Sequence, residues 1–128
     1  MEIYIIRHGQ TLWNREKRLQ GNVDIELNDY GRELAVKTGE ALMDTPIDVI
    51  FSSPLKRAYV TADLIRNGRD IEIITDDRIK ELNFGCMEGM SYEKLYEDET
   101  LGFKYFFTQP ELYFPPEDGE TLEHLIER

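Results

Sequence analysis

The first nine residues constrain this chain more than any others. Ile3-Tyr4-Ile5-Ile6 is a run of β-forming side chains, and Arg7-His8-Gly9 follows it without a break. Such a run predicts a buried strand over residues 3–7 that delivers a guanidinium and an imidazole to its carboxyl end. In open α/β sheets that edge is where ligands bind, and a glycine beside the histidine lets a ligand approach the backbone. An arginine fork suits a phosphate, and a neutral imidazole can attack one. A strand-end histidine bonded to backbone would leave the same three letters, so the rest of the chain must decide.

The segments that follow alternate, which predicts an α/β layer fold. Asn28 is placed to cap a helix whose apolar stripe is Leu34, Ala35, Ala41 and Leu42. Residues 47–51 read as a second buried strand. Ser53 and Pro54 open the next helix, with Leu55, Ala58, Ala62 and Ile65 inside and Asn67-Gly68 as its stop. Residues 71–74 form a third, shorter strand, and residues 92–98 a helix. An aromatic segment, Phe103 to Phe114, closes at Pro115-Pro116. Asp118-Gly119-Glu120 opens a last helix bearing Leu122, Leu125 and Ile126.

With 128 residues, 41% of them hydrophobic, the chain is expected to form one domain over 1–128 with a modest core. A net charge of −11 argues against nucleic acid or an anionic membrane as partner. No apolar run is long enough to span a bilayer. A single cysteine, Cys86, and no secretory signal predict a reducing, cytoplasmic compartment. An anionic substrate would need a local basic pocket.

Arg57 is one candidate for that pocket, about a turn inside the helix that opens at Ser53. A helix amino end attracts anions. If the first two strands are parallel, Arg57 joins Arg7 and His8 at one sheet edge. The alternative is a surface arginine paired with Asp63. Glu81 opens a glycine-bearing loop that runs to Gly89. Displacing an alcohol from a phosphate needs an acid and then a base, and a partly buried carboxyl beside a phosphate is tuned for both. The alternative for Glu81 is simple solvation, as one of 26 acidic residues.

Taken together, Arg7-His8-Gly9-Gln10-Thr11-Leu12-Trp13-Asn14, then Gln20-Gly21 and Asp24, resemble the opening block of the histidine phosphatase superfamily, also called phosphoglycerate mutase-like. Ser52 to Ala58 with Thr61-Ala62 resembles its second block. Glu81 to Gly85 with Glu88-Gly89 resembles the third, and Pro116 with Gly119-Glu120-Thr121 the fourth. The resemblance implies a three-layer α/β sandwich, its mostly parallel sheet covered by helices on both faces. It implies that His8 becomes phosphohistidine and that Glu81 donates and accepts the proton. Arg7 and Arg57 would hold the phosphoryl oxygens with help from Asn14, while Gln20 and Gly21 border a small phosphorylated metabolite. No metal or other cofactor is implied, and two histidines with one cysteine make a poor ligand set.

Family members continue past the Gly-Glu-Thr block to a second His-Gly, on a strand beside the first. This sequence lacks that block. His124, with no glycine after it, reads as an exposed helical histidine. The expectation is therefore a chain truncated at its carboxyl end, with an open strand edge that favours a homodimer. The stretch Asn83 to Gly89 is apolar and acidic, which resembles the phosphatase branch. A phosphoglycerate-type mutase and a catalytically impaired phosphate-binding fragment are the alternatives. The aromatic segment and Trp13 serve either as a cover over an apolar leaving group or as packing.

Overall fold

Asn28 does cap a helix. Its side-chain oxygen accepts from the Gly31 N–H at 2.8 Å, which satisfies one of the amide groups a helix start leaves open. The computed structural model describes every residue, Met1–Arg128. Its elements in chain order are α1 (Leu12–Arg15), α2 (Asp29–Ala41), β1 (Val49–Ser52), α3 (Lys56–Arg66), β2 (Glu72–Thr75), α4 (Tyr92–Glu97), α5 (Phe103–Thr108) and α6 (Leu122–Glu127). The chain divides into two compact units, one of Met1–Leu12 with Asp24–Lys80 and one of Trp13–Val23 with Glu81–Arg128.

In the first unit β1 and β2 pair in parallel, Val49 opposite Glu72 and Ser52 opposite Thr75. Parallel neighbours require a crossover, and α3 supplies it and packs against both strands. The result is an α/β arrangement. Helix α2 lies along α3, and its buried positions are the small residues Gly31, Ala35 and Gly39, while Leu34 points to solvent. Close approach explains this choice, since a Cβ on Gly39 would lie 2.7 Å from the Leu64 carbonyl oxygen. Helix α3 ends at Asn67 in the left-handed region, φ 53°, as the Asn-Gly pair predicts. Arg69 then donates to the carbonyls of Leu42 (3.0 Å) and Thr45 (3.1 Å) just beyond α2, and to Ile65 (3.2 Å) and Arg66 (3.1 Å) in α3. A cation is favoured at both helix ends.

Three expectations for this unit are corrected. The segment Ile3–Arg7 forms no strand, because the sheet consists of β1 and β2 alone. A strand is held by ladder bonds to a neighbour and by burial. This run has neither, and Ile5 is 95% exposed. Strand β1 starts at Val49 and is buried only at Ser52. Phe51 is 61% exposed, on the same side as Val49 and as its ladder partner Ile74, both also exposed. Helix α3 starts at Lys56 with Leu55 at the cap position, because the Ser53 hydroxyl accepts the Leu55 N–H (3.3 Å) in a turn that precedes the helix.

The second unit is built on Leu19, Leu82, Phe84, Met87, Leu95 and Phe103. Phe103 meets Phe84 edge-on at 6.0 Å, and Phe106 meets Phe84 at 5.2 Å and Tyr113 at 5.3 Å. These rings of the aromatic segment serve packing, whereas Phe107 and Phe114 are exposed. Helix α6 begins after Thr121, whose hydroxyl accepts the His124 N–H at 3.1 Å. It does not open at Asp118, because the Gly119 and Glu120 amides are bonded to the carbonyls of Pro116 and Asn83. No helix is long and apolar enough to cross a membrane.

Candidate active site

His8 is followed by backbone that side chains hold in place. The Gly9 N–H donates to the Thr61 hydroxyl at 2.9 Å, and that hydroxyl donates to the Arg57 carbonyl at 2.6 Å. Asn28 donates from its backbone to the Gln10 carbonyl (2.9 Å) and from its side chain to the Gln10 amide oxygen (2.8 Å). The His8 Nδ1 lies 2.8 Å from the Gly9 carbonyl oxygen. A carbonyl only accepts, so in the neutral ring Nδ1 carries the proton and Nε2 presents its lone pair. The tautomer of the neutral ring is thereby set by the next residue in the chain.

Arg57 is the second residue of α3, nearer its amino end than the sequence suggested, and is 2% exposed. It is not the surface partner of Asp63, whose carboxylate binds Arg66 at 2.5 Å. Arg7 is exposed. The first amide of α3, Lys56 N–H, donates to the Asp24 carboxylate at 2.7 Å. The anion position expected at that helix end is thus partly filled from within the chain. Arg7, His8 and Arg57 all belong to the first unit.

Asn14, Gln20, Gly21 and Glu81 belong to the second unit. Asn14 lies in α1 and is half-buried, and Gln20 and Gly21 are buried. Gly21 adopts φ +53°, and a Cβ there would overlap the Glu88 carboxylate. Glu88 accepts the N–H groups of Asn22 (2.7 Å), Val23 (3.0 Å) and Phe84 (3.0 Å). One carboxylate therefore shapes both the turn after Gln20 and the loop after Glu81. Its place before Gly89 marked it as part of a motif without revealing this task. The Trp13 ring carries the Arg18 guanidinium 4.4 Å from its centroid, and Arg18 Nε donates to the Gly89 carbonyl at 2.6 Å.

Glu81 is exposed rather than half-buried, and its Oε1 accepts the Leu82 N–H at 3.0 Å. Glu120 holds the residues that follow. Its Oε2 accepts the Asn83 N–H (3.0 Å), and its own N–H donates to the Asn83 carbonyl (2.7 Å). Arg128 grips the same carboxylate through Nε (2.6 Å) and Nη2 (3.2 Å), and Nη2 also reaches the Glu81 carbonyl at 3.3 Å. The exposed His124 places Nδ1 2.7 Å from Glu120 Oε1. Hydrogen bonding from Arg128, above all, pulls the Glu120 carboxyl down to about 2 against the opposing effect of burial. Burial and then the charge of Glu120 push the Tyr113 hydroxyl up to about 12. No group of three His, Cys, Asp or Glu side chains converges to hold a metal ion.

Residues 3–128 match the family model described as the histidine phosphatase superfamily, branch 1. The chain belongs to that superfamily. Among its relatives are phosphoglycerate mutase-like protein 4 of Arabidopsis thaliana, 37% identical over 99% of this chain and 56% of the relative, and phosphoserine phosphatase 1 of Hydrogenobacter thermophilus, 33% identical over 100% and 60%. The solved structure of Bacillus stearothermophilus YhfR superposes with a TM-score of 0.84 at 35% identity, covering 94% of this chain and 59% of that one. The chain thus spans somewhat over half the length of the curated relatives it matches.

Two consequences of these contacts are measurable. Thr61→Val keeps the shape but leaves the Gly9 N–H without its acceptor, and should lower the unfolding free energy by about 1–3 kcal/mol. Thr61→Ser, which keeps both bonds, should lose distinctly less. Equal losses in urea titrations would mean the hydroxyl is not what matters. The second concerns pH. The folded-state pKa of Glu120 lies below its unfolded value of 4.5, so its contribution is present above pH 4.5 and lost as pH falls toward about 2. Glu120→Gln should flatten the stability loss across that window in acid titrations, and an unchanged slope would contradict the stabilising role.

Proposed function

We propose that this chain carries the catalytic residues of a metal-independent phosphomonoester hydrolase that works through a phosphohistidine at His8. The observation that carries this reading is the 2.8 Å contact of His8 Nδ1 with the Gly9 carbonyl, which in the neutral ring puts the proton on Nδ1 and the lone pair on Nε2. Membership of the superfamily and the buried Arg57 support it.

In this mechanism the guanidinium groups of Arg7 and Arg57 hold the non-bridging phosphoryl oxygens, as forked donors suited to an anion do. Asn14 assists them, and Gln20 and Gly21 border the substrate. The His8 Nε2 lone pair forms a bond to phosphorus as the ester P–O bond breaks, and Glu81 gives its proton to the departing alcohol oxygen. Glu81, now a carboxylate, takes a proton from water. The resulting hydroxide forms a P–O bond as the P–N bond breaks, so inorganic phosphate leaves and His8 is restored. The substrate class is a small phosphorylated metabolite, handled in the cytoplasm.

The loop from Asn83 to Gly89 brings no basic side chain, which favours hydrolysis over transfer to a second hydroxyl. Relatives named as mutases keep transfer as a second reading. The open edges of the two-stranded sheet and the exposed Ile3–Ile6 run support a homodimer, a reading that a monomeric mass in sedimentation equilibrium would end.

The decisive experiment incubates the protein and its His8→Ala variant with phosphomonoesters labelled on phosphorus. The parent should form acid-labile, base-stable label and release inorganic phosphate, and the variant should do neither. Label that forms but moves to a second hydroxyl would favour the mutase. Absence of label in the parent would reduce the chain to phosphate binding.

A further inference from the structure

Glu81 reaches its place through its backbone. Its carboxylate is exposed and accepts the adjacent Leu82 amide, and the only distant group acting on it is the charge of Arg128, the residue that also bonds the Glu81 carbonyl. The backbone on either side is held firmly. Leu82 is 1% exposed in the core of the second unit. Arg128 bonds the Glu81 carbonyl. Asn83 exchanges two bonds with Glu120, one to its carbonyl and one from its amide. Glu120 is the shared member of this set, with a side chain only 8% exposed in a chain whose acidic residues mostly face water. Burying a carboxylate is costly unless charge and hydrogen bonds compensate it. Arg128 supplies both in a two-point grip, and charge-assisted bonds of this kind are about twice as strong as neutral ones.

We propose that Glu120, locked by Arg128, is the positioning residue for Glu81: it fixes the Glu81–Asn83 backbone so that the proton donor stands ready at the leaving oxygen. This rests on the role given to Glu81 under the proposed function. It assigns to the Gly119-Glu120-Thr121 segment a task in the chemistry that neither its place near the end of the chain nor its distance in sequence from Glu81 would suggest. Helix α6 contributes through Arg128, just beyond its last turn, and through the exposed His124.

The dependence of rate on the leaving group separates this role from a structural one. An aryl phosphate such as p-nitrophenyl phosphate departs without a proton, whereas an alkyl phosphate such as glycerol phosphate needs one. The parent protein is compared with Glu81→Gln, Glu120→Gln and Arg128→Ala on both esters, with thermal melts to confirm folding. Arg128→Ala releases the Glu81 carbonyl while leaving the Glu120–Asn83 bonds in place, so it reports even where Glu120→Gln is poorly folded. Glu81→Gln should lose the first-turnover release of the alkyl alcohol selectively, the step in which Glu81 protonates the leaving oxygen, whereas hydrolysis of the phosphohistidine uses Glu81 with both esters. Glu120→Gln and Arg128→Ala should show the same selectivity, with the first-turnover rate on the alkyl ester reduced roughly 10- to 100-fold and that on the aryl ester little changed. Equal reduction on both esters, or none, beside a selective Glu81→Gln would overturn the proposal while leaving the hydrolase reading intact. A Glu81→Gln variant without selectivity would remove the proton-donor role itself, and this inference with it.

Discussion

Backbone outside helices and sheets must find partners for its N–H groups, because unpaired ones are costly once water is excluded. In this chain carboxylates and hydroxyls supply them. Glu88 takes three amides, Glu120 takes Asn83, Asp118 takes Cys86 at 3.2 Å, Asp24 takes Lys56 and Thr61 takes Gly9. Most of the chemistry-bearing residues lie on or beside such segments. Part of the acidic excess is therefore structural, set into loops whose shape depends on it.

The remaining acidic residues behave differently. Glu33 with Lys37, Asp76 with Arg78 and Glu99 with Lys104 are surface pairs whose carboxyls are held below their usual range chiefly by the hydrogen bond to the paired cation. Exposed pairs of this kind add little to stability, because solvent screens them. The Glu120–Arg128 pair is shielded on both sides, at 8% and 15% side-chain exposure, so breaking it strands a charge rather than releasing it to water. A net charge of −11 also means that the phosphate ester of the proposed reaction would approach against the protein's field. Its capture must then rest on close contacts with a few cations, which gives the deep burial of Arg57 its significance.

Local signals were legible in the sequence and partner-dependent ones were not. The Asn28 cap and the Asn67-Gly68 stop were read correctly, and α4 to within one residue, because each depends on neighbours within a turn. The strand expected at residues 3–7 failed because a strand exists only beside another. Two helix starts moved because Ser53 and Glu120 are bonded elsewhere. Within the candidate site, residue type and motif singled out His8, Arg57 and Glu81 as candidates. Thr61, Glu88 and Glu120 did not disclose what they hold, since their partners stand 52, 66 and 37 positions away. A short polar side chain in a sequence says little about which distant amide it will satisfy.

This dependence also orders the proposed chemistry. The attacking nitrogen of His8 is chosen by the proton on Nδ1, and that proton is held by the Gly9 carbonyl. The amide of the same glycine is held by Thr61, whose hydroxyl ends on the carbonyl of Arg57. A single chain of hydrogen bonds thus runs from the nucleophile to the backbone of the residue proposed to grip the phosphoryl group. If α3 shifted, Thr61 would move with it, the Gly9 peptide would follow, and the imidazole would lose its fixed tautomer as well as its place. Nucleophile and anion-binding residue are therefore unable to drift independently. Small displacements at reacting centres cost rate steeply, so this coupling through one buried hydroxyl is worth more than the modest stability of any bond within it.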